Sequence, residues 1–247
     1  MSFTSNEFMS RPKGPKRAVI AVTVVVVVAT ATGYVLGSGR GAESQGSGAG
    51  SGAVPASQQP DSPPSASAAV PSLGPIRLVR GSLLTNGLYT EFPHSTVGAI
   101  SAADEYITAL GSTLDPDRSA TVARLAADPA YISSQTDAAT GTRNTRTSLG
   151  LPATGAIPQG YSVEVDPVAY QLKSESADDA EVLLLSYFTT ATTSQGIVAH
   201  TAVFPMVMHW ADGDWKFMPM DTADYTALAV QPGSAQAASD GWIPFTQ

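Results

Sequence analysis

The order of hydrophobic and polar positions divides the chain into an apolar segment near the front, a low-complexity stretch and a folded part. Residues 18–36 contain no charged side chain. A helix of this length, rising about 1.5 Å per residue, covers roughly 28 Å and just crosses a hydrocarbon core. Residues 37–72 hold seven Gly, nine Ser, seven Ala and five Pro. This composition predicts a flexible linker, because it cannot bury enough apolar surface to fold.

The folded part is predicted to begin at Gly74. Its first regular pattern of apolar positions has a helical period and follows Ser95. Ser95 or Thr96 can cap a first helix, and Asp104 and Glu105 fall on its polar side, which predicts that both carboxylates lie in water. The positions predicted to be buried are Ala99, Ala102, Ala103, Tyr106, Ile107 and Leu110.

Two Asp-Pro pairs predict further helix starts, since each places a capping residue before a proline in the first turn. Asp115-Pro116 predicts a second helix, with Val122, Leu125 and Ala126 on its buried side. Asp128-Pro129 predicts a third helix through Tyr131 and Ile132, and the polar residues 135–148 are expected to form its frayed end and a loop.

From Tyr161 the period changes to two, which is typical of strands. Val163 and Val165 alternate with Glu164 and Asp166, which are expected to point outward. Strands are predicted over residues 161–172 with an interruption at Pro167, over 181–190, over 197–210 and over 215–218. Pro205 implies a bulge or a sheet edge, and Asp212-Gly213 is typical of a type I′ hairpin. The chain is therefore predicted to be an α+β domain, with helices packed on one face of a curved antiparallel sheet of about four strands.

Composition and charge exclude several classes of function. Hydrophobic residues make up 43% of the chain and charged residues 14%, which argues against a wholly disordered chain and against a polytopic membrane protein. From Gly74 onward there are eight basic and eighteen acidic residues, a net charge of −10, so direct nucleic-acid binding is not expected. The chain has no cysteine, which excludes disulfides, a lipoprotein anchor, thiol catalysis and thiolate metal sites.

Basic residues before the apolar segment predict its orientation in the membrane. Arg11, Lys13, Lys16 and Arg17 precede the segment and only Arg40 closely follows it, so the positive-inside rule places the N-terminus in the cytoplasm. The predicted organisation is a basic cytoplasmic tail (1–17), a single transmembrane helix (18–36), a linker (37–73) and an extracytoplasmic domain (74–247). A cleaved signal peptide is the alternative, because residues 29–31 resemble a cleavage site. The apolar character that continues through residue 36 favours the anchor.

Candidate chemical groups are few. The histidines His94, His200 and His209 lack the H-x-x-x-H spacing of a zinc site, and His200 and His209 would face opposite sides of a regular strand. No catalytic residue, cofactor or metal site is predicted. His94 is expected to fix the loop before the first helix, and Trp210 and Trp215 to pack across the hairpin. The interaction or pocket candidates are His94, His200, Trp210 and Trp215.

One segment carries a family resemblance. Residues 91–99, EFPHSTVGA, followed by Ala102, Ala103 and Tyr106, resemble the opening of a family of actinobacterial membrane-anchored proteins. Those proteins are similar to the VirB8/TcpC components of type IV secretion and conjugative transfer systems. The order of basic tail, single span, linker and helices before a sheet that ends near a W-x-D-G-D-W hairpin matches as well. The resemblance implies an NTF2-like cone, and a scaffold without catalysis of its own that assembles with other transfer or envelope proteins, or with copies of itself.

Two other functions stay open from the sequence. An NTF2-like cone can hold a small-molecule pocket, which would make the domain an exported ligand-binding domain or enzyme. Its candidate polar groups are Asp104, Glu164, Asp166 and His200, although the pattern places the three carboxylates in solvent. The other alternative is a cell-envelope accessory module unrelated to transfer.

The predicted topology can be tested with protease added to intact protoplasts. We expect the large domain to be digested and a membrane-bound stub to remain, because the basic cluster keeps the N-terminus inside. Protection of the domain would reverse the orientation. Release of the domain into the medium without protease would favour the cleaved signal peptide.

Overall fold

The computed structural model of the chain describes residues 73–220 and 223–246. The helices in this part are α1 (Thr96–Gly111), α2 (Pro116–Ala126), α3 (Ser134–Ser148) and α4 (Ala235–Ser239), with a 3-10 turn at Thr226–Leu228. The strands are β1 (Ile76–Arg77), β2 (Leu83–Thr85), β3 (Leu88–Thr90), β4 (Ser162–Glu175), β5 (Asp179–Thr192), β6 (Gly196–Ala211), β7 (Asp214–Phe217) and β8 (Ile243–Thr246). The predicted tail and span, and the linker up to residue 72, lie outside the described residues. No helix within the described part is long and apolar enough to cross a membrane.

The main sheet has six strands in the order β1-β8-β4-β5-β6-β7. All its pairings are antiparallel except that of β1 with β8. Strands β2 and β3 form a separate hairpin. The predicted four-strand meander is therefore present as β4 to β7, and β8 and β1 extend the sheet on the side of β4. The α+β class is confirmed.

Helix α1 forms where the sequence predicted it. Ser95 caps it, since its hydroxyl accepts a hydrogen bond of 3.1 Å from the Gly98 amide. The small side chains Ala99, Ala102 and Ala103 are buried together with Tyr106 and Ile107. They allow the helix to lie close to the sheet, and at Gly111 an added Cβ would clash with Val165.

The polar side of α1 was predicted wrongly. Asp104 and Glu105 are half-buried and do not lie on a freely solvated face. The β2–β3 hairpin packs on this side of α1, and the Tyr89 amide donates a hydrogen bond of 2.9 Å to Oε1 of Glu105. Leu110, predicted to be buried, is also half-buried.

The second helix is confirmed and the third is displaced. Asp115 caps α2 by accepting a hydrogen bond of 2.9 Å from the Asp117 amide, and Pro116 begins the helix. The residues after Asp128-Pro129 form turns, with Ile132 93% exposed. Helix α3 begins at Ser134 and occupies the stretch predicted to be frayed and looped. It packs against α2 through small polar side chains, among them Thr142, whose hydroxyl lies 2.5 Å from that of Ser119.

Arg146 is a fully buried residue of α3. Its guanidinium donates hydrogen bonds to the carbonyl oxygens of Pro152 (2.7 Å), Leu114 (2.8 Å) and Ala156 (3.4 Å). These bonds satisfy a buried cation with backbone oxygens and tie the loop after α3 to the start of α2.

Both faces of the sheet are covered. The main core lies between α1 to α3 and one face of the sheet, and includes Val165, Val182, Leu184, Met206 and Met208. On the other face, Leu183, Leu185 and Ala169 pack against the chain that follows β7, through Ala237 and Trp242. The prediction that helices cover one face therefore describes α1 to α3 but omits the C-terminal segment.

The two prolines of the predicted strands, Pro167 and Pro205, have different surroundings. The register of β4 against β5 shifts between Pro167 and Ala169, so Pro167 marks an irregularity inside a continuous strand. The register of β6 against β5 runs without a shift past Pro205. Of the two interpretations of Pro205, the bulge is wrong and the edge is correct.

Ala103 provides a test of the core. Because its side chain is 0% exposed between α1 and the sheet, Ala103→Asp should place an unpaired charge in the core and lower the free energy of unfolding by about 3 kcal/mol or more. Urea denaturation of the isolated domain measures this. The matched variant Ala153→Asp, at an exposed loop position, should change stability by less than about 0.5 kcal/mol. Equal effects of the two variants would show that the assigned buried face is wrong.

Candidate functional site

Three separate segments meet beside the N-terminus of α1, where the exposed side chain of His94 contacts two of them. The imidazole of His94 stacks on Trp210 with ring centroids 4.1 Å apart and an interplanar angle of 12°. Its Nε2 lies 3.0 Å from Oδ1 of Asp178 and 2.9 Å from the Ala177 carbonyl oxygen, both in the β4–β5 turn. The sequence showed no carboxylate partner for His94. The structure supplies one from a turn 84 positions away.

The two tryptophans hold this loop to the β6–β7 hairpin. Trp210 and Trp215 are direct cross-strand partners with ring centroids 5.5 Å apart, as expected from their positions. Indole Nε1 of Trp215 donates a hydrogen bond of 3.0 Å to the Pro93 carbonyl oxygen. That same oxygen lies where a Cβ at position 98 would stand, so Gly98 permits the loop to fold back on α1. Three of the four predicted candidates, His94, Trp210 and Trp215, are therefore brought together.

A buried carboxylate lies beneath this cluster. Oδ1 of Asp214 accepts hydrogen bonds from the amides of Phe92 (2.8 Å) and Trp215 (2.9 Å). Its Oδ2 accepts from the Tyr106 hydroxyl at 3.2 Å and lies 2.9 Å from the Lys216 ammonium. Burial, followed by the charge of Asp214 and this hydrogen bond, raises the pKa of Tyr106 well above its usual value. The Tyr106 hydroxyl is therefore a fixed hydrogen-bond donor.

The other two histidines lie on opposite faces of β6, as their odd spacing predicted. His200, the fourth candidate, packs against Phe188 with ring centroids 5.1 Å apart and does not join the His94 cluster. His209 Nδ1 lies 2.7 Å from Oδ2 of the buried Asp128.

The pair formed by His209 and Asp128 lies at the β7 edge of the sheet. The hydrogen bond to Asp128 raises the pKa of His209. Burial acts to raise the pKa of Asp128, but the bonds from His209 and the Ala130 amide and the charges of His209 and Lys216 hold it below its usual value. The Asp128 amide donates to the Phe217 carbonyl oxygen at 2.9 Å, so this residue covers the outer edge of β7.

Of the four residues proposed for a small-molecule pocket, Asp104 and Asp166 lie close enough for the charge of Asp166 to act on Asp104. Glu164 and Asp166 are exposed on β4 as expected, and His200 lies on β6. Asp104 was expected to lie in water, but its side chain is half-buried. Burial, followed by the charges of Glu105 and Asp166, raises the pKa of Asp104 to about 7. Among the described residues, no three His, Asp or Glu side chains are grouped closely enough to hold a metal ion.

The open edge of β6 is longer than the edge position that Pro205 implied. We use this name for residues 197–205, which pair with β5 on one side only. Strand β7 pairs with β6 only from Met208 to Ala211, so β6 extends far beyond its neighbour. Ile197 is 78% exposed and Val198 42% exposed at one end of this edge. Its sequence, IVAHTAVFP, contains no Asp, Glu, Lys or Arg.

Comparisons with known proteins place the chain in a family. Residues 53–244 match a domain of unknown function, DUF8175. Because the match covers most of the chain, the chain belongs to the DUF8175 family. Neither the comparison with curated proteins nor that with solved structures gave a match.

The raised pKa of Asp104 predicts how stability depends on pH. An Asp whose folded pKa is about 7, against an ordinary value of 3.8, binds its proton more tightly when folded. Its contribution to stability is full below about pH 4 and is lost as the pH rises to about 7. Asp104→Asn should therefore be more stable than the parent at pH 8, by roughly 1–3 kcal/mol, and should lose this advantage at pH 4.

Urea denaturation across pH 4 to 8 measures the effect. Glu164→Gln, at an exposed position of β4, is the control and should leave the pH profile unchanged. A parallel profile for Asp104→Asn and the parent would show that Asp104 is an ordinary solvated carboxylate.

Proposed function

We propose that the chain is a membrane-tethered scaffold of the cell envelope that acts by binding proteins through the open edge of β6. The observation that carries this proposal is a long, apolar strand edge without Asp, Glu, Lys or Arg that no described strand pairs with, and that is exposed from Ile197 to Ala199. Such an edge presents backbone donors and acceptors that bind another extended segment, and soluble proteins normally protect it with charges, bulges or covering loops. Pro205 is a protective residue at the buried end of this edge, and the Thr201 hydroxyl donates a hydrogen bond of 2.9 Å to the Ala229 carbonyl oxygen in the segment after β7.

The polar side chains inside the domain join its own segments to one another, which also favours a scaffold. His94, His209 and Asp214 join separate segments of the domain through hydrogen bonds. Every buried side-chain nitrogen and oxygen atom in the described residues has a hydrogen-bond partner. These polar groups therefore stabilise a rigid body, and a rigid sheet presents its edge in a fixed shape.

The cellular setting of the proposal rests on the sequence. The predicted cytoplasmic tail, single span and linker would place the domain outside the membrane within reach of envelope proteins. A flexible linker of 36 residues has a root-mean-square reach on the order of 30–36 Å. Helices followed by a curved antiparallel sheet agree with the coarse plan of an NTF2-like cone. We extend the proposal to a VirB8-like role in the assembly of a conjugative transfer or secretion system.

A second candidate function is supported by one observation. A half-buried carboxylate with a pKa near 7, such as Asp104, can exchange a proton at neutral pH and is a candidate general acid or base. An exported NTF2-like domain that binds or converts a small molecule would use this group. Turnover that is lost in Asp104→Asn would favour this function over the scaffold.

The scaffold function can be tested by photo-crosslinking in native membranes. A photoreactive phenylalanine analogue at Ala199, an exposed position of the open edge, should form covalent adducts with protein. The same analogue at Ala153, which is exposed in the loop after α3, is the control and should give none above background. Adducts identified by mass spectrometry would name the partner, and equal labelling at both positions would contradict the proposal.

A further inference from the structure

We infer that the open edge of β6 binds the same edge of a second copy of this chain, antiparallel, about a two-fold axis at His200. This inference rests on the proposed function and identifies its partner. It would join two six-stranded sheets into one continuous sheet.

The outward-facing groups follow from two hydrogen bonds at the hairpin end of β6. The Trp210 amide donates to the Asp178 carbonyl oxygen on the β5 side, and the Val207 carbonyl oxygen accepts from the Met218 amide on the β7 side. Because β6 has no register shift, the odd-numbered residues direct their amides and carbonyls outward along its whole length. Ile197, Ala199, Thr201 and Val203 therefore present backbone groups that no other described strand pairs with.

Pro205 selects the register of the pairing. Because Pro205 is odd-numbered, its backbone nitrogen faces away from β5. The N–H that proline lacks therefore removes no hydrogen bond to β5, but a partner strand could not pair with this position. With the axis at His200, residue 199 pairs with 201 of the second copy and 197 pairs with 203. Pro205 then lies opposite residue 195, in the turn beyond the strand. This is the longest two-fold pairing that leaves Pro205 outside.

The chemistry of the edge suits pairing with itself. Each domain has a net charge of −10, so most surfaces of two copies repel each other. The open edge contains no charged residue, and its exposed side chains at Ile197 and Val198 are apolar. Two copies can therefore meet here without burying a charge, and each would cover the exposed apolar residues of the other.

The chain's own preceding segment is a poorer occupant. The described chain begins at Leu73, next to β1, and β1 lies at the opposite end of the sheet from β6. Three strands, β8, β4 and β5, separate β1 from β6, so a segment returning to β6 would cross roughly 19 Å of sheet. Residues 37–72 also contain five prolines and seven glycines, which disfavour a strand.

A seven-residue strand pairing forms a small interface, at the low end of the range for specific complexes. We therefore expect the isolated domain to be mostly monomeric at micromolar concentration. Two copies attached to one membrane by flexible linkers are held at a far higher effective concentration, which favours the pair.

The experiment uses engineered cysteines in the full chain, which has none of its own. His200→Cys places the two thiols opposite each other at a non-hydrogen-bonded position, where Cα atoms are about 4.5 Å apart and a disulfide can form. Mild oxidation of native membranes should convert most of this variant to a covalent dimer. Two differently tagged copies should appear in the same product, which shows that both chains are this protein.

Cysteines at Val198 and Ala202 check the register. Residue 198 lies opposite residue 202 of the second copy, so the two variants expressed together should form a disulfide. Val198→Cys alone should form none, because its two thiols would be about 14 Å apart along the strands. Crosslinking of Val198→Cys alone as efficient as that of the mixed pair would mean random collision and would overturn the inference.

Two substitutions at Ala199 test the backbone pairing itself. Ala199→Pro removes an outward N–H that no described strand of the same chain accepts, and Ala199→Lys adds a charge at an exposed position. Each, combined with His200→Cys, should lower the dimer yield at least fivefold. Thermal melts of the soluble domain check folding, and Ala199→Lys serves if Ala199→Pro fails to fold. An unchanged yield in the folded variant would overturn the inference.

The outcomes separate this inference from the function on which it rests. If the photoreactive group at Ala199 labels only another protein and His200→Cys gives no dimer, the second copy is wrong and the scaffold stands. If neither method gives a product, both are wrong. A dimer from His200→Cys that Ala199→Lys suppresses supports both.

Discussion

The buried carboxylate of Asp214 is the interaction on which the architecture depends. It binds the loop before α1, the α1 helix itself and the β6–β7 hairpin through four donors, and these elements come from distant parts of the chain. A buried charge is costly unless it is fully paired, so the carboxylate is tolerated only when all these segments are in place. Their assembly is what positions His94 against Trp210 and orients the long strand β6.

The structure divides its polar chemistry between two tasks. Inside, charged and polar side chains such as Asp214, Arg146 and Asp128 fix the relative positions of helices, loops and strands. At the open edge of β6 the backbone itself is the available binding group. Under the proposed function, a partner would be recognised by shape and strand direction more than by a particular side chain, as in other strand-pairing complexes.

Much of the fold followed from local patterns, and the failures have identifiable causes. The caps at Ser95 and Asp115 and the turn at Asp212-Gly213 depend on neighbouring residues, so the sequence contained them. Helix α3 did not follow, because its buried residues are Ser134, Ala139, Thr142 and Arg146, and a single small apolar residue among them gives no hydrophobic pattern. Asn86-Gly87, both with positive φ, is typical of a tight hairpin turn, and the hairpin that it joins covers Glu105. The contact of His94 with Asp178 depends on tertiary folding and leaves no trace in spacing.

The pairing of β1 with β8 gives the domain a mechanical property. These are the first and last strands of the described chain, they run parallel, and β8 is the only strand that joins β1 to the rest of the sheet. A pull on the residues before Leu73 therefore acts first on the hydrogen bond from the Tyr170 hydroxyl to the Gly74 carbonyl oxygen and on this short pairing, while a load applied at β6 reaches them through β5 and β4. This two-residue pairing is the part of the main sheet that follows the predicted linker most closely along the chain. If β1 separated from β8, the flexible linker would become longer, and the open edge of β6 would keep its structure.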